Sequence, residues 1–206
     1  MKKPIFVAAF LLLFANTNVF AKTQGNYIAI NSIKTQSDAF AGRSIDYKVD
    51  SGSSNGIGFS FMSALNFDNF ILAPELFYDQ LKINVKDSAD NNWNINQRVG
   101  IKINLGYDFN DHFAVFLNGG LARTSYDVKW DFGDGSYSYR EDYSDSLIYG
   151  LAVKVSPFEN FSIILSHDIA DVELQEPQYF RGFTLYQGDF LKTKIATTKL
   201  GLAYRF

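Results

Sequence analysis

The chain has no cysteine. That absence excludes a disulfide framework, a thiolate metal site and a lipoprotein acylation cysteine together, so packing and hydrogen bonding alone must hold the fold. Histidine is nearly as scarce, with only 2 in 206 residues, which narrows the scope for acid–base catalysis. No apolar run beyond residue 21 approaches the roughly 20 residues that a spanning helix needs. An excess of positive charge is missing too: 19 Lys and Arg stand against 22 Asp and Glu, and nothing suggests a nucleic-acid partner. Internal repeats beyond hairpins, low-complexity tracts and linkers to a second domain are also absent.

What is abundant is apolar and aromatic residues, 47% and 17% of the chain. Aromatic richness without an apolar 20-mer is expected when lipid-facing residues are spaced one in two along strands. Lys2 and Lys3 precede an apolar run from Ile5 to Ala15, and Val19-Phe20-Ala21 offers small residues where signal peptidase needs them. We expect a signal peptide over residues 1–21, cleavage after Ala21 and one domain over 22–206. Losing Lys2 and Lys3 reduces the 19 basic residues to 17 against 22 acidic ones, a formal charge of −5.

In the segment ending at Phe206, Leu200, Leu202, Tyr204 and Phe206 alternate with Lys199, Gly201, Ala203 and Arg205. A period of two places these sets on opposite faces of a strand. A greasy outer face with a small or charged inner face is inside-out relative to a soluble barrel. Ile95, Gln97, Val99, Ile101, Ile103, Leu105 and Tyr107 are expected on one face of a second such strand, and Ile57, Phe59 and Phe61 on a third. Eight segments of this kind are predicted: about 25–33, 55–65, 70–85, 94–107, 113–128, 146–155, 161–172 and 192–206. Connections alternate between short (66–69, 108–112, 156–160) and long (34–54, 86–93, 129–145, 173–191). Short turns on the periplasmic side and long loops outside are the pattern of an all-β, eight-stranded antiparallel transmembrane up-and-down β-barrel. Aromatics from Phe67 and Phe70 through Tyr107, Phe109, Phe113, Phe158 and Phe161 to Tyr204 and Phe206 cluster at the short-turn ends, where an interfacial girdle belongs. Pro74 is the local misfit, because it removes a ladder donor; it is expected at a bulge or a widely spaced position.

With its leader, eight alternating segments, long third loop and closing TTKLGLAYRF, the chain resembles the eight-stranded outer-membrane proteins of the OmpA and OmpX type and the related porin-like surface antigens. No periplasmic peptidoglycan-binding domain of the kind that follows the OmpA barrel is expected, so the resemblance runs towards stand-alone barrels. The resemblance implies outer-membrane lipid and lipopolysaccharide as surroundings, and Tyr204 and Phe206 as part of the signal read by the barrel assembly machinery.

Charge inside such a barrel is costly unless paired. Counting from the short turns sets Glu75 level with Lys102, Asp79 with Arg98, and Asp168 with Lys199. With Lys154 and Arg205 these form an expected lumen charge network, read either as a structural plug or as the lining of a narrow ion or solute path. Ser166-His167-Asp168 looks like an acyl-hydrolase triad against lipid A or phospholipid, but consecutive strand residues point to opposite faces; no catalysis is expected. The acidic third loop, with Asp131, Asp134, Glu141, Asp142 and Asp145, lacks the spacing of an EF-hand and is expected to be solvated, with neither metal nor cofactor. Asp134-Gly135 signals a tight turn. The third and fourth loops are rich in hot-spot residue types: Trp130, Tyr137, Tyr139, Arg140, Tyr143, Tyr179, Phe180, Arg181, Phe183 and Tyr186. They either contact an extracellular protein or host surface, or pack on one another and the outer leaflet.

Overall fold

A computed structural model describes residues 23–41, 48–49, 51–86, 92–110, 112–131, 137–175, 179–181, 184–186 and 190–206; the expected leader, 1–21, lies outside them. Eight long strands build the wall: β1 (Gly25–Ser37), β2 (Gly52–Phe67), β3 (Phe70–Lys86), β4 (Asn92–Asn110), β5 (Phe113–Asp131), β6 (Tyr137–Phe158), β7 (Phe161–Gln175) and β8 (Phe190–Arg205). Each pairs antiparallel with its chain neighbours, and β8 pairs with β1 to close the barrel. Two-residue strands at Phe40–Ala41 and Lys48–Val49 extend from the β8 edge, and Tyr179–Arg181 pairs with Thr184–Tyr186 as a separate hairpin. Several strands run well past the bounds expected from sequence, β6 by nine residues at its start (Tyr137 against the expected Ser146).

The stagger is readable from the register. Laterally paired residues lead from Arg205 to Tyr27, Met62, Glu75, Lys102, Gly120, Ile148 and Ala170, and return to the last strand at Ile195, ten residues above the start. For eight strands this offset requires a tilt of roughly 40°, so a lateral row climbs about 3 Å per strand.

The outer wall carries an apolar belt. On β4 it comprises Tyr107, Leu105, Ile103, Ile101 and Val99, 38–58% exposed. From Phe109 to Val99 the strand rises about 25 Å at that tilt, the height of a membrane band. Girdle aromatics meet in edge and tilted contacts: Phe70–Tyr107 at 5.4 Å, Tyr107–Phe109 at 5.1 Å, Phe109–Phe113 at 5.6 Å and Phe161–Tyr204 at 5.2 Å.

Above the belt the wall turns right side out. On β3 the outward residues change from Leu76 and Tyr78 to Gln80, Lys82 and Asn84, while Leu81, Ile83 and Val85 point inward and are buried. On β4 the inversion needs an extra residue. Asn96 is the extra residue against β5, where Ile95 and Gln97 face the consecutive Tyr126 and Ser125; on its other side it faces both Leu81 and Lys82 of β3, and Lys82 takes a left-handed φ of 55°. Ile95 is therefore fully buried inside and does not share a face with Gln97 and Val99, which corrects the expectation from alternation.

Two seams open at about the same level. Pairing of β2 with β3 ends at Gly58–Asp79, and that of β6 with β7 at Ile148–Ala170, although all four strands continue upward. The upper wall thus becomes two four-stranded sheets, β3–β6 and β7–β8–β1–β2, enclosing an apolar core of Trp93, Ile95, Tyr126, Val128, Val172, Leu174 and Ile195 with the inward residues of β3. A serine hydroxyl bridges each seam: Ser54 donates to the Leu81 carbonyl, and Ser144 accepts the Glu173 N–H at 3.1 Å. Pro74 keeps normal register with Ile103, and the β2–β3 ladder lapses only between Met62–Glu75 and Leu65–Leu72. The missing N–H therefore falls in an interruption of the ladder and not in a bulge.

Close approach also fixes one glycine. A Cβ on Gly120 would lie 2.0 Å from the Ile101 carbonyl oxygen. Gly120→Ala is expected to cost about 1–3 kcal/mol through backbone displacement, measurable as a lower urea midpoint in lipid vesicles; an unchanged midpoint would mean that the wall gives freely there.

Candidate functional site

The lumen is filled in three layers. At the bottom, Tyr27, Met62, Ile71, Phe116 and six alanines, Ala29, Ala64, Ala73, Ala114, Ala152 and Ala203, form a small-residue core. The alanines fit because inward side chains converge in a narrow barrel. The middle layer holds charge, and the top layer is the apolar core between the two upper sheets.

Six of the eight expected lumen charges meet in the middle. Asp79 accepts from Arg98 at 2.8 Å and pairs with Lys199 at 2.8 Å. Asp168 pairs with Lys102 at 3.1 Å and Lys199 at 3.5 Å, and Lys102 reaches Glu75 at 3.5 Å. Three cations and three carboxylates balance. The Phe77 ring lies among them, with Lys199, Lys102 and Arg98 at 4.6, 5.3 and 5.7 Å from its centroid. The Glu75–Lys102 and Asp79–Arg98 levels coincide with the register. Asp168, by contrast, lies opposite Thr197 and not Lys199, a two-residue offset that the length of the lysine side chain bridges. Below this cluster is a cavity of about 30 Å³ lined by Glu75, Lys102, Asn104, Ser166 and Lys199, room for a water or two.

Lys154 and Arg205 do not join this cluster, contrary to expectation. Lys154 lies lower and donates to Thr23 Oγ1 at 2.9 Å; Thr23 in turn donates to Asp108, which also accepts from Asn66 at 2.8 Å. The Tyr27 hydroxyl donates to the Thr23 carbonyl at 3.0 Å, so the first described residue is tied across the short-turn mouth. Arg205 is 3.9 Å from the exposed Glu159 at the rim. Sequence counting assigned the two by face alone; their height separates them from the rest.

Ser166 and Asp168 point into the lumen. His167 points outward and shares a hydrogen bond with Thr198 at 2.9 Å.

On the long-loop side, β5 and β6 stay paired from the belt to Asp131–Tyr137, forming a hairpin that overtops its neighbours. Asp145, just above the belt, receives two hydrogen bonds of 2.7 Å from Arg123, which also lies 4.2 Å from the Tyr143 ring. Those hydrogen bonds hold the Asp145 carboxyl below the usual carboxylate range. Both groups are exposed, so the pair contributes little stability, and that little is lost as pH falls through the depressed value. Of the loop candidates, Tyr143 is exposed. The side chains of Trp130, Tyr137, Tyr139, Arg140, Tyr179, Phe180, Arg181 and Tyr186 lie outside the described set, as do Phe183 and Asp134 entirely. β7 ends at Gln175, whereas β6 reaches Tyr137, paired with β5.

No family model and no curated protein matches the sequence. Solved structures do match the fold. Ail, the attachment invasion locus protein of Yersinia pestis, solved with the heparin analogue sucrose octasulfate, aligns at TM-score 0.54 and 15% identity, covering 89% of this chain and 100% of that one. The outer membrane protein OprG from Pseudomonas aeruginosa aligns at TM-score 0.52 and 15% identity over 89% and 96%. The Escherichia coli outer membrane protease OmpT aligns at TM-score 0.53 and 10% identity over 93% and 99%. At such identities the likeness is one of fold: this chain's eight-stranded barrel is of the outer-membrane type, and one of the matched proteins is a protease.

Proposed function

We propose that this outer-membrane barrel is a non-catalytic surface protein, of the adhesin or surface-antigen kind, that captures an extracellular protein through its protruding β5–β6 hairpin. The carrying observation is the hairpin itself: β5 and β6 stay paired from the belt to Asp131–Tyr137, while β7 ends at Gln175. A protruding two-stranded ribbon offers its outer strand to an extended segment from another chain. The filled lumen supports this reading over a channel, since apolar and charged layers occupy the path from end to end. Charge narrows the partner. Glu141, Asp142 and Asp145 lie on β6, so pairing with a second copy would set acid against acid, whereas an extended basic segment would be complementary.

Deleting Asp131–Asp142 is expected to leave heat-modifiable migration intact while abolishing capture of cells or matrix proteins. Glu141→Lys with Asp142→Lys should weaken capture roughly tenfold through charge reversal alone. Unchanged adhesion in both variants would leave a purely structural barrel. Steady conductance in planar bilayers, altered by substitution of Lys102 or Arg98, would favour the narrow-pore reading.

A further inference from the structure

Three polar side chains interrupt the lipid-facing wall at adjoining positions on β7, β8 and β1: His167, Thr198 and Ser32, all exposed. Polar groups at this depth are expensive and mark function more often than not. The lateral register sets His167 beside Thr198, Thr198 beside Lys34 and Lys34 beside Asn55. Past Gly58–Asp79 the β2–β3 pairing stops, but the Ser54 hydroxyl reaches the Leu81 carbonyl across the seam, which brings Lys82 into the neighbourhood of Asn55. Each of the five is exposed and directed outward.

Because a lateral row climbs with the stagger, this one starts inside the belt, where His167 stands between Leu165 and Ile169. It ends above the belt at Lys82, two residues beyond Gln80. The row is a ramp from acyl-chain depth to the outer headgroup level on the long-loop side. It carries two ammonium groups and no acid, and neither Lys34 nor Lys82 has a carboxylate partner among the described residues. The opposite wall differs: there Arg123 is matched by Asp145 at the same height.

We propose that this ramp is a binding site for a phosphorylated glycolipid of the outer leaflet. Lys34 and Lys82 would hold a phosphate at headgroup level, Asn55 would donate between them, and the His167–Thr198 pair would meet the polar linkage between headgroup and acyl chains below. Charge complementarity selects the anionic headgroup, and position selects the leaflet: an inner-leaflet phospholipid has its headgroup at the girdle, a membrane thickness away. None of the five residues lies on β5 or β6, so the ramp stands or falls independently of protein capture.

Native mass spectrometry of the detergent-released full barrel titrated with bisphosphorylated lipid A tests the site. Retention by the unaltered protein is expected to exceed that of dephosphorylated lipid A, and to fall about fivefold for each of Lys34→Gln and Lys82→Gln. Lys194→Gln, exposed but off the row, should retain lipid normally. His167→Leu keeps the lysines and an apolar wall; it should weaken both lipid A forms alike, because it acts on the linkage. Heat-modifiable migration verifies folding of each variant. Equal retention of the phosphorylated and dephosphorylated forms, equal competition by phosphatidylglycerol, or a loss in Lys194→Gln as large as in Lys34→Gln would overturn the proposal.

Discussion

Asp79→Ala is expected to destabilise the barrel by about 3–5 kcal/mol, the usual cost of leaving a buried charge without its partner. Asp79 is fully buried and is held by two cations at 2.8 Å. Without it, Arg98 keeps the Thr197 hydroxyl, which accepts at 3.0 Å, and the face of the Phe77 ring, but no carboxylate within salt-bridge reach among the described residues. Lys199 retains Asp168 at 3.5 Å, so the uncompensated charge concentrates on Arg98. The double variant Asp79→Ala, Arg98→Met restores balance among Lys102, Lys199, Asp168 and Glu75, and should recover most of the loss. Urea titrations in phospholipid vesicles provide the comparison. A double variant as unstable as the single one would show that the layer acts through packing and not through charge.

The second large effect belongs to the upper sheets. Trp93 is fully buried in the core between them, and Trp93→Ala should cost about 3–5 kcal/mol. The loss should be local. Beneath the seams the wall is continuous and lipid-supported, whereas above them two sheets are joined by apolar packing and two serine bridges. Hydrogen exchange is expected to accelerate in residues 81–86, 92–95, 126–129 and 170–174 while amides of the belt stay protected. Acceleration spread evenly over all strands would show that the two parts unfold as one.

Most of the barrel is legible in the sequence because lipid imposes a simple rule on every second residue. The girdle aromatics, the eight segments and the Glu75–Lys102 and Asp79–Arg98 levels all follow from it. The upper half is harder to read because the solvent outside changes from lipid to water and the rule inverts. On β3 the inversion is visible once sought: apolar positions switch from even numbers, Leu72, Leu76 and Tyr78, to odd ones, Leu81, Ile83 and Val85. On β4 the Asn96 bulge hides it, for the apolar residues remain odd through Val99, Ile95 and Trp93 while the backbone turns them from outside to inside. Alternation alone cannot reveal an added residue that alters no side-chain pattern. The height of Lys154 and the two-residue offset of Asp168 escape for a related reason: face is a property of one strand, but level depends on the stagger of all eight.

Closure by β1 and β8 sets the order in which the molecule can be made. Tyr27 is among the first residues of the wall to appear and Arg205 among the last, yet they are neighbours. Until the final strand arrives, β1 has one edge unpaired and the greasy face of every strand has no lipid to cover it. Local hairpins can form early, but the pair that seals the cylinder carries almost the largest contact order the chain permits, and such pairings are slow. In transit the polypeptide is therefore an open, sticky ribbon, and its success depends on remaining unfolded until a membrane is at hand.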